Sequence, residues 1–372
     1  MATASVTSRQ IGRAWSSMLL SGVAAWGCAP DFAVDLSEID GPRVLAVRAE
    51  PAEAEPGERV TFLALVAGRD EPEMGLEFDF CVARKDLAEL APIQPACLKG
   101  ERRALIQIGK GAEPVGSLPE DGCSLFGPRR PDPKPGEPAG RPVDPDPTGG
   151  YYQPLLVKLD DQEPVLGAVR LACGLQHAER EQVEQYNKNW HANVNPKPTG
   201  FSIRSNRGWQ PVGLAGTDSS LPEASRPDAA SADAASPDAA NGVESASDAA
   251  AAPAFVGQVE IAQGGSVALR VHWPKCPKGV SPDDQGCAGA EPYQLFDPEA
   301  RALESRREEL IVSWYSDAGH FDQYRSAAAG PDRTSVTNTW HAPIGRRNAR
   351  LYAVLRDGRG GVGWGELDVN LR

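Results

Sequence analysis

The residues of this chain best able to do covalent chemistry are seven cysteines: Cys28, Cys81, Cys97, Cys123, Cys173, Cys276 and Cys287. No two stand as CxxC, the close spacing a structural zinc site draws on. The odd count resolves if one is set apart. Cys28 follows a short apolar run, and the other six suit three disulfide bonds in an oxidising compartment. Spacing alone leaves many pairings open. The expectation adopted pairs Cys276 with Cys287, near neighbours in a turn-rich loop, Cys81 with Cys173, and Cys97 with Cys123.

The other reactive types carry less. His177, His191, His272, His320 and His341 show neither HExxH nor another metal spacing and read as surface or loop residues. The hexapeptide GRGGVG, 358–363, matches GxGxxG, but a dinucleotide site needs a helix after the glycines. Here a strand-like stretch follows, so the glycines read as a hairpin turn. GGSVA, 264–268, lacks the last glycine of a GxSxG nucleophile elbow, and its Ser266 opens a predicted strand. Acidic residues are abundant, yet none is singled out as a glycosidase pair, and the acidic loops lack EF-hand spacing. These residues predict no catalytic group, no metal and no cofactor. Trp314, Trp340 and Trp364 lie in predicted strands as core residues. Trp190 and Trp209 lie near element ends, where an aromatic ring could stack on a sugar.

The elements that must position these residues are strands. In 372 residues, 38 Gly and 33 Pro load the chain with turns. The segments 43–50 and 58–68 flank a Pro/Gly/Glu turn, Pro51 to Gly57. GLEFDFCVAR, 75–84, alternates Leu76, Phe78 and Phe80 with polar residues at period two. Further strands are read at 102–109, 151–161, 165–175, 255–274, 310–322, 334–343 and 348–371. This spacing predicts a mainly β protein of two tandem immunoglobulin-like β-sandwich domains, at 43–194 and 195–372. A helix is predicted over 178–190. A second short one is predicted over 297–310, with Asp297 as N-cap and Pro298 at its first turn.

Two segments cannot build a core. Residues 127–150 are proline-rich and read as an insertion in the first domain. Residues 216–254, repeating PDAA and ADAA, read as a disordered acidic insertion in the second. The formal net charge of −13 disfavours nucleic acid as a partner. No apolar run after residue 28 reaches the roughly 20 residues of a spanning helix.

The N-terminus adds a compartment. Arg9 and Arg13 precede the apolar stretch 19–27, as in an export signal. Ala25-Trp26-Gly27 before Cys28 resembles a bacterial lipoprotein signal, which implies cleavage after residue 27, acylation of Cys28 and a tether over 28–42. Trp26 departs from the small residue usual at its position. RVLAVRAEPAEAEPGERVTFLALV, LACGL…NPKPTGF and ELIVSWYSDAGHFD…TNTWHAP…LYAVLRDGRGGVGW are together similar to uncharacterised myxobacterial-type envelope lipoproteins with tandem immunoglobulin-like or PKD-like domains. The resemblance implies an exported protein, lipid-anchored in the outer membrane or at the cell surface. It implies a non-enzymatic structural or adhesive role, with envelope proteins or glycans as partners. The alternative is a carbohydrate binder or an accessory subunit of an envelope hydrolase.

Overall fold

The computed structural model describes residues 36–69, 75–84, 91–125, 135–136, 147–175, 178–212, 255–278, 286–328, 330 and 332–372. The expected signal peptide, Cys28, His177, most of 127–150 and all of 216–254 lie outside the described residues. Asp35–Arg372 forms one compact unit.

The strands in chain order are β1 (Arg43–Glu50), β2 (Glu53–Ala54), β3 (Arg59–Ala67), β4 (Leu76–Cys81), β5 (Leu105–Lys110), β6 (Val115–Ser117), β7 (Gly150–Leu159) and β8 (Val165–Ala172). There follow β9 (Gly200–Ser205), β10 (Gly208–Pro211), β11 (Phe255–Ile261), β12 (Ser266–His272), β13 (Pro292–Asp297) and β14 (Ala302–Arg307). The last are β15 (Ile311–Ser316), β16 (His320–Phe321), β17 (Arg325–Ala327), β18 (Ser335–His341), β19 (Asn348–Arg356) and β20 (Val362–Leu371). Three helices are described: α1 (Pro95–Leu98), α2 (Gly122–Leu125) and α3 (Arg180–Asn189).

The first eight strands make a sandwich. A three-stranded sheet, β1-β3-β6, faces a five-stranded one, β2-β8-β7-β4-β5. Phe62 of β3 meets Phe80 of β4 edge to face, with Phe78, Leu155, Val157 and Leu171 completing the buried core. The later strands make a second sandwich, β10-β9-β12-β18-β16 against β11-β20-β19-β15-β17. Its core holds Trp314 and Trp340, whose indole N–H groups donate to Ser326 Oγ and Ala318 O. Each sandwich places one short strand parallel to its last: β2 beside β8 and β11 beside β20. The mainly β sandwich architecture is therefore as the period-two patterning predicts.

Four local expectations are corrected. Residues 302–307 form a strand, not a helix: Asp297 Oδ1 does accept the Glu299 and Ala300 amides, but Arg301 then turns to φ 50° and β14 pairs back on β13. The tether does not extend to residue 42, because the Ile39 amide donates to Ser316 O and the Ser316 amide to Ser37 O. The proline-rich segment is not all insertion: Pro147 O accepts the Phe296 amide, and Gly150 begins β7. The disulfides are Cys81–Cys97, Cys123–Cys173 and Cys276–Cys287, so only the last is as expected. Helix α1 brings Cys97 to the end of β4, and α2 lays Cys123 against the end of β8, each at 5.6 Å between Cα atoms.

The two sandwiches share a third apolar cluster. Leu45 and Leu65, on the outward face of β1 and β3, pack with Ile39 against Tyr352, Val354 and Trp364 of β19 and β20. The guanidinium of Arg48 lies 4.7 Å from the Trp364 ring centroid. Between the sandwiches the chain runs extended from Trp190 to Thr199. Asn195 pins it to both bodies, donating to Ala49 O and accepting from the Val362 amide at 2.9 Å. The glycine run is explained here. Gly360 holds φ 98° at the β19–β20 turn, and a Cβ on Gly363 would sit 1.7 Å from Pro196 O.

The chain-entropy argument ranks the bridges. Cys123–Cys173 closes a span of 50 residues and Cys276–Cys287 one of 11, worth about 4 and about 3 kcal/mol respectively. Denaturant titration of the paired serine variants should show the larger loss for Cys123→Ser/Cys173→Ser. The reverse order would contradict the assignment of loop constraint as the main effect.

Candidate functional site

Perturbed titratable groups point first to the junction. Arg359, at the tip of the β19–β20 hairpin, is buried. Its Nε donates to Glu308 Oε1 at 2.7 Å and its Nη2 to Glu291 Oε2 at 2.8 Å. Glu291 also accepts the amides of Val194 and of the disulfide-bonded Cys287. Asp357 Oδ1 accepts the Arg359 and Gly361 amides and faces the Asn193 side chain. The Asn193 amide in turn donates to Glu53 Oε2 at 2.9 Å, and Glu53 pairs with Arg170 at 3.1 Å. Two guanidinium groups therefore sit among four buried carboxyl groups.

That imbalance shifts the carboxyls. Burial, with the charge of Asp357 added, pushes Glu308 up to about 8 against the pull of Arg359. Burial also raises Glu291 and Asp357. The neighbouring cavity, lined by Thr148, Trp190, His191, Tyr293 and Arg359, holds only about 10 Å³. Glu291, Glu308 and Arg359 are themselves buried, and their hydrogen bonds fasten the sandwiches together. Trp190 belongs to this cavity wall, which is too small for a sugar ring.

A groove opens where the apolar junction ends. The β19–β20 ladder pairs Val354 with Trp364, then Tyr352 with Glu366, Arg350 with Asp368, and Asn348 with Asn370. The first pair is sealed against the first sandwich. The later pairs turn polar and floor a groove of about 1020 Å³, with Leu63, Leu65, Arg69 and Glu113 on the opposite side. Arg350 Nε donates to Asp368 Oδ1 at 2.6 Å. Burial raises Glu366, opposed by Arg350, and burial with the charge of Glu366 raises Tyr352.

The second polar surface is the outward face of the sheet β10-β9-β12-β18-β16. Trp209 lies there with the guanidinium of Arg270 3.8 Å from its ring centroid, so one stacking face is already covered. His272, lowered by burial and then by Arg270, contacts Ser202 Oγ at 2.9 Å. Across β16, β18 and β12, His320, His341 and Ser266 stand in register. His341 Nδ1 is 2.8 Å from Ser266 Oγ, and its Nε2 is 2.7 Å from Asp322 Oδ1. His320 stacks on His341 at 4.7 Å. Hydrogen bonds from His341 and Thr339 hold Asp322 below the usual carboxylate range.

From the sequence Ser266 reads as a strand opener and His341 as a surface residue. Their meeting with Asp322 is not encoded locally, because the three residues come from β12, β18 and the turn after β16. Nor does the sequence single out Arg359, which lies in an apparent turn where a solvated arginine is the ordinary expectation. Among the described residues, no three or more of His, Cys, Asp and Glu come together as a metal-binding group, and no helix is long and apolar enough to cross a membrane.

No protein-family model and no curated protein matches this chain. Among solved structures it is similar to the adhesin InvE of Yersinia pseudotuberculosis, at 9% identity and a TM-score of 0.19, over 87% of this chain and 58% of that one. It is also similar to Escherichia coli alpha-2-macroglobulin activated by porcine elastase, at 9% identity and a TM-score of 0.18, over 87% of this chain and 23% of that one. The chain thus spans just over half of the first and under a quarter of the second. Superposition this loose bears on no role for the chain.

The junction cluster generates a pH dependence. In the folded protein Glu308 keeps its proton up to about pH 8, against 4.5 as its ordinary value. Between those limits the folded state binds more protons than the unfolded one, so this contribution to stability falls as pH rises. The melting temperature of wild type should therefore rise, relative to Glu308→Gln, as pH is lowered from about 8 to about 5. Arg359→Met should cost roughly 1–3 kcal/mol by leaving the buried acceptor oxygens of Glu308 and Glu291 without their donors. Parallel melting profiles for wild type and Glu308→Gln would contradict the raised value.

Proposed function

We propose that the chain is an exported bacterial envelope protein, anchored through a lipid on Cys28, whose fused sandwiches serve as a binding or adhesion scaffold. The observation that carries this reading is the set of three disulfide bonds, which persist in oxidising compartments and are rare in the cytosol. The seventh cysteine is left for the acyl chain. Several acyl chains on one residue hold a folded body at a membrane durably, at about 0.8 kcal/mol per buried CH2.

The groove at the sandwich junction is the ligand surface in this reading. Its floor presents the amides of Asn348 and Asn370, the guanidinium of Arg350 and the carboxyls of Glu366 and Asp368. These are donors and acceptors suited to hydroxyl-rich chains such as envelope glycans. Trp190 and Trp209 lie away from this groove, and one ring face of Trp209 is covered by Arg270. The binding role itself needs no catalytic step, no cofactor and no nucleic acid.

The test is metabolic labelling with an alkynyl fatty acid followed by membrane fractionation. Wild type should carry the label and sediment with outer membranes, and Cys28→Ala should lose both properties. An unlabelled wild-type protein in the soluble fraction would overturn the proposal.

A further inference from the structure

We infer that Ser266 is a nucleophile activated by His341 and Asp322, able to take part in acyl transfer on an open sheet face. This goes beyond the binding role and is independent of it.

Ser266 and His341 are directly opposed in the antiparallel pair β12–β18, and Gly265 O accepts the Ala342 amide beside them. That hydrogen bond flanks a non-hydrogen-bonded pair, the kind in which facing side chains approach most closely. Register alone thus delivers the serine hydroxyl to the imidazole. Asp322 follows β16, which pairs on the other edge of β18, and its amide donates to Thr339 O at 3.0 Å. This bond fixes the carboxylate at the far ring nitrogen.

In the neutral imidazole, the form that can act as a base, Asp322 decides which ring nitrogen carries the proton. An ionised carboxylate only accepts, so Asp322 places the His341 proton on Nε2. Nδ1 then keeps its lone pair and accepts the Ser266 O–H. Nucleophile bonded to base, and base bonded to a carboxylate that orients it, is the geometry such catalysis requires. The ring faces are exchanged relative to the familiar order, in which Nδ1 meets the carboxylate. The logic is unchanged, because either nitrogen can serve as the base. His320, stacked on His341, holds the ring plane.

The reaction balances within these groups and the substrate. Ser266 Oγ attacks an ester carbonyl carbon as its proton passes to His341 Nδ1. The C–O bond to the leaving group breaks, and His341 returns the proton to the departing alkoxide. Water then attacks the acyl-serine by the same route, releasing a carboxylic acid and restoring the hydroxyl. Beside Ser266 on this face the neighbours are small: Ala268 on β12 and Thr339 on β18, which are cross-strand partners. Ser266 is exposed on this face, and the substrate class that suits it is an acyl ester carried on a large or extended molecule that can lie along the sheet.

The test uses a fluorophosphonate probe on the purified full chain, in which Oγ displaces fluoride from phosphorus and His341 takes the proton. Peptide mass spectrometry should place the adduct on Ser266 in wild type and find none in Ser266→Ala. His341→Gln should slow labelling at least tenfold and Asp322→Asn to a lesser degree, all with wild-type melting temperatures, since these side chains are at the surface. A folded wild type that takes no label at Ser266, or a His341→Gln variant that labels at the wild-type rate, would overturn the inference.

Discussion

The arrangement depends on one buried ion cluster. Arg359 is carried into the junction by a tight hairpin turn and bonded there to Glu291 and Glu308. A guanidinium out of water is costly unless its donors are met. Here both partners come from the flanks of the β13–β14 hairpin. Glu53 and Asn193 extend the cluster to the first sandwich. Clusters of this kind add little net stability compared with apolar packing, but breaking one is expensive. Their effect is to penalise every other docking of the two bodies.

Two surfaces follow from that fixed docking. Trp364 and Val354 seal one end of the β19–β20 face, which leaves the Tyr352–Asn348 end open as a groove. On the second sandwich, the sheet bearing β12 and β18 leaves Ser266 and Thr337 exposed and His341 half-buried. One body therefore offers a recessed polar floor and a flat polar face. Two disulfides lie elsewhere in the frame: Cys287 lies four residues from Glu291 of the fastening, and Cys123–Cys173 ties α2 to the end of β8.

Much of this was legible in the sequence where the signal is local. Leu76, Phe78 and Phe80 alternate and are buried; Leu310, Val312 and Trp314 do the same. The stretch 358–363 reads as a hairpin because a strand follows it, and it is one. What failed depended on distant partners. Asp297 is a sound cap by composition, but the pairing of β14 with β13 overrides helix formation. Cys97 was paired wrongly because α1, only four residues long, leaves no periodic trace. The Ser266, His341 and Asp322 set arises from strand register, and no spacing within one segment encodes it. Arg359 looked like a turn residue because burial of a charged side chain is set entirely by what packs over it.

The central claim is that the two sandwiches are fastened into one cooperative body, and calorimetry tests it most directly. Thermal unfolding of the full chain should give a single transition from the sandwiches, with equal calorimetric and van't Hoff enthalpies. Two resolved transitions, each with its own enthalpy and unaltered by Arg359→Met, would contradict it.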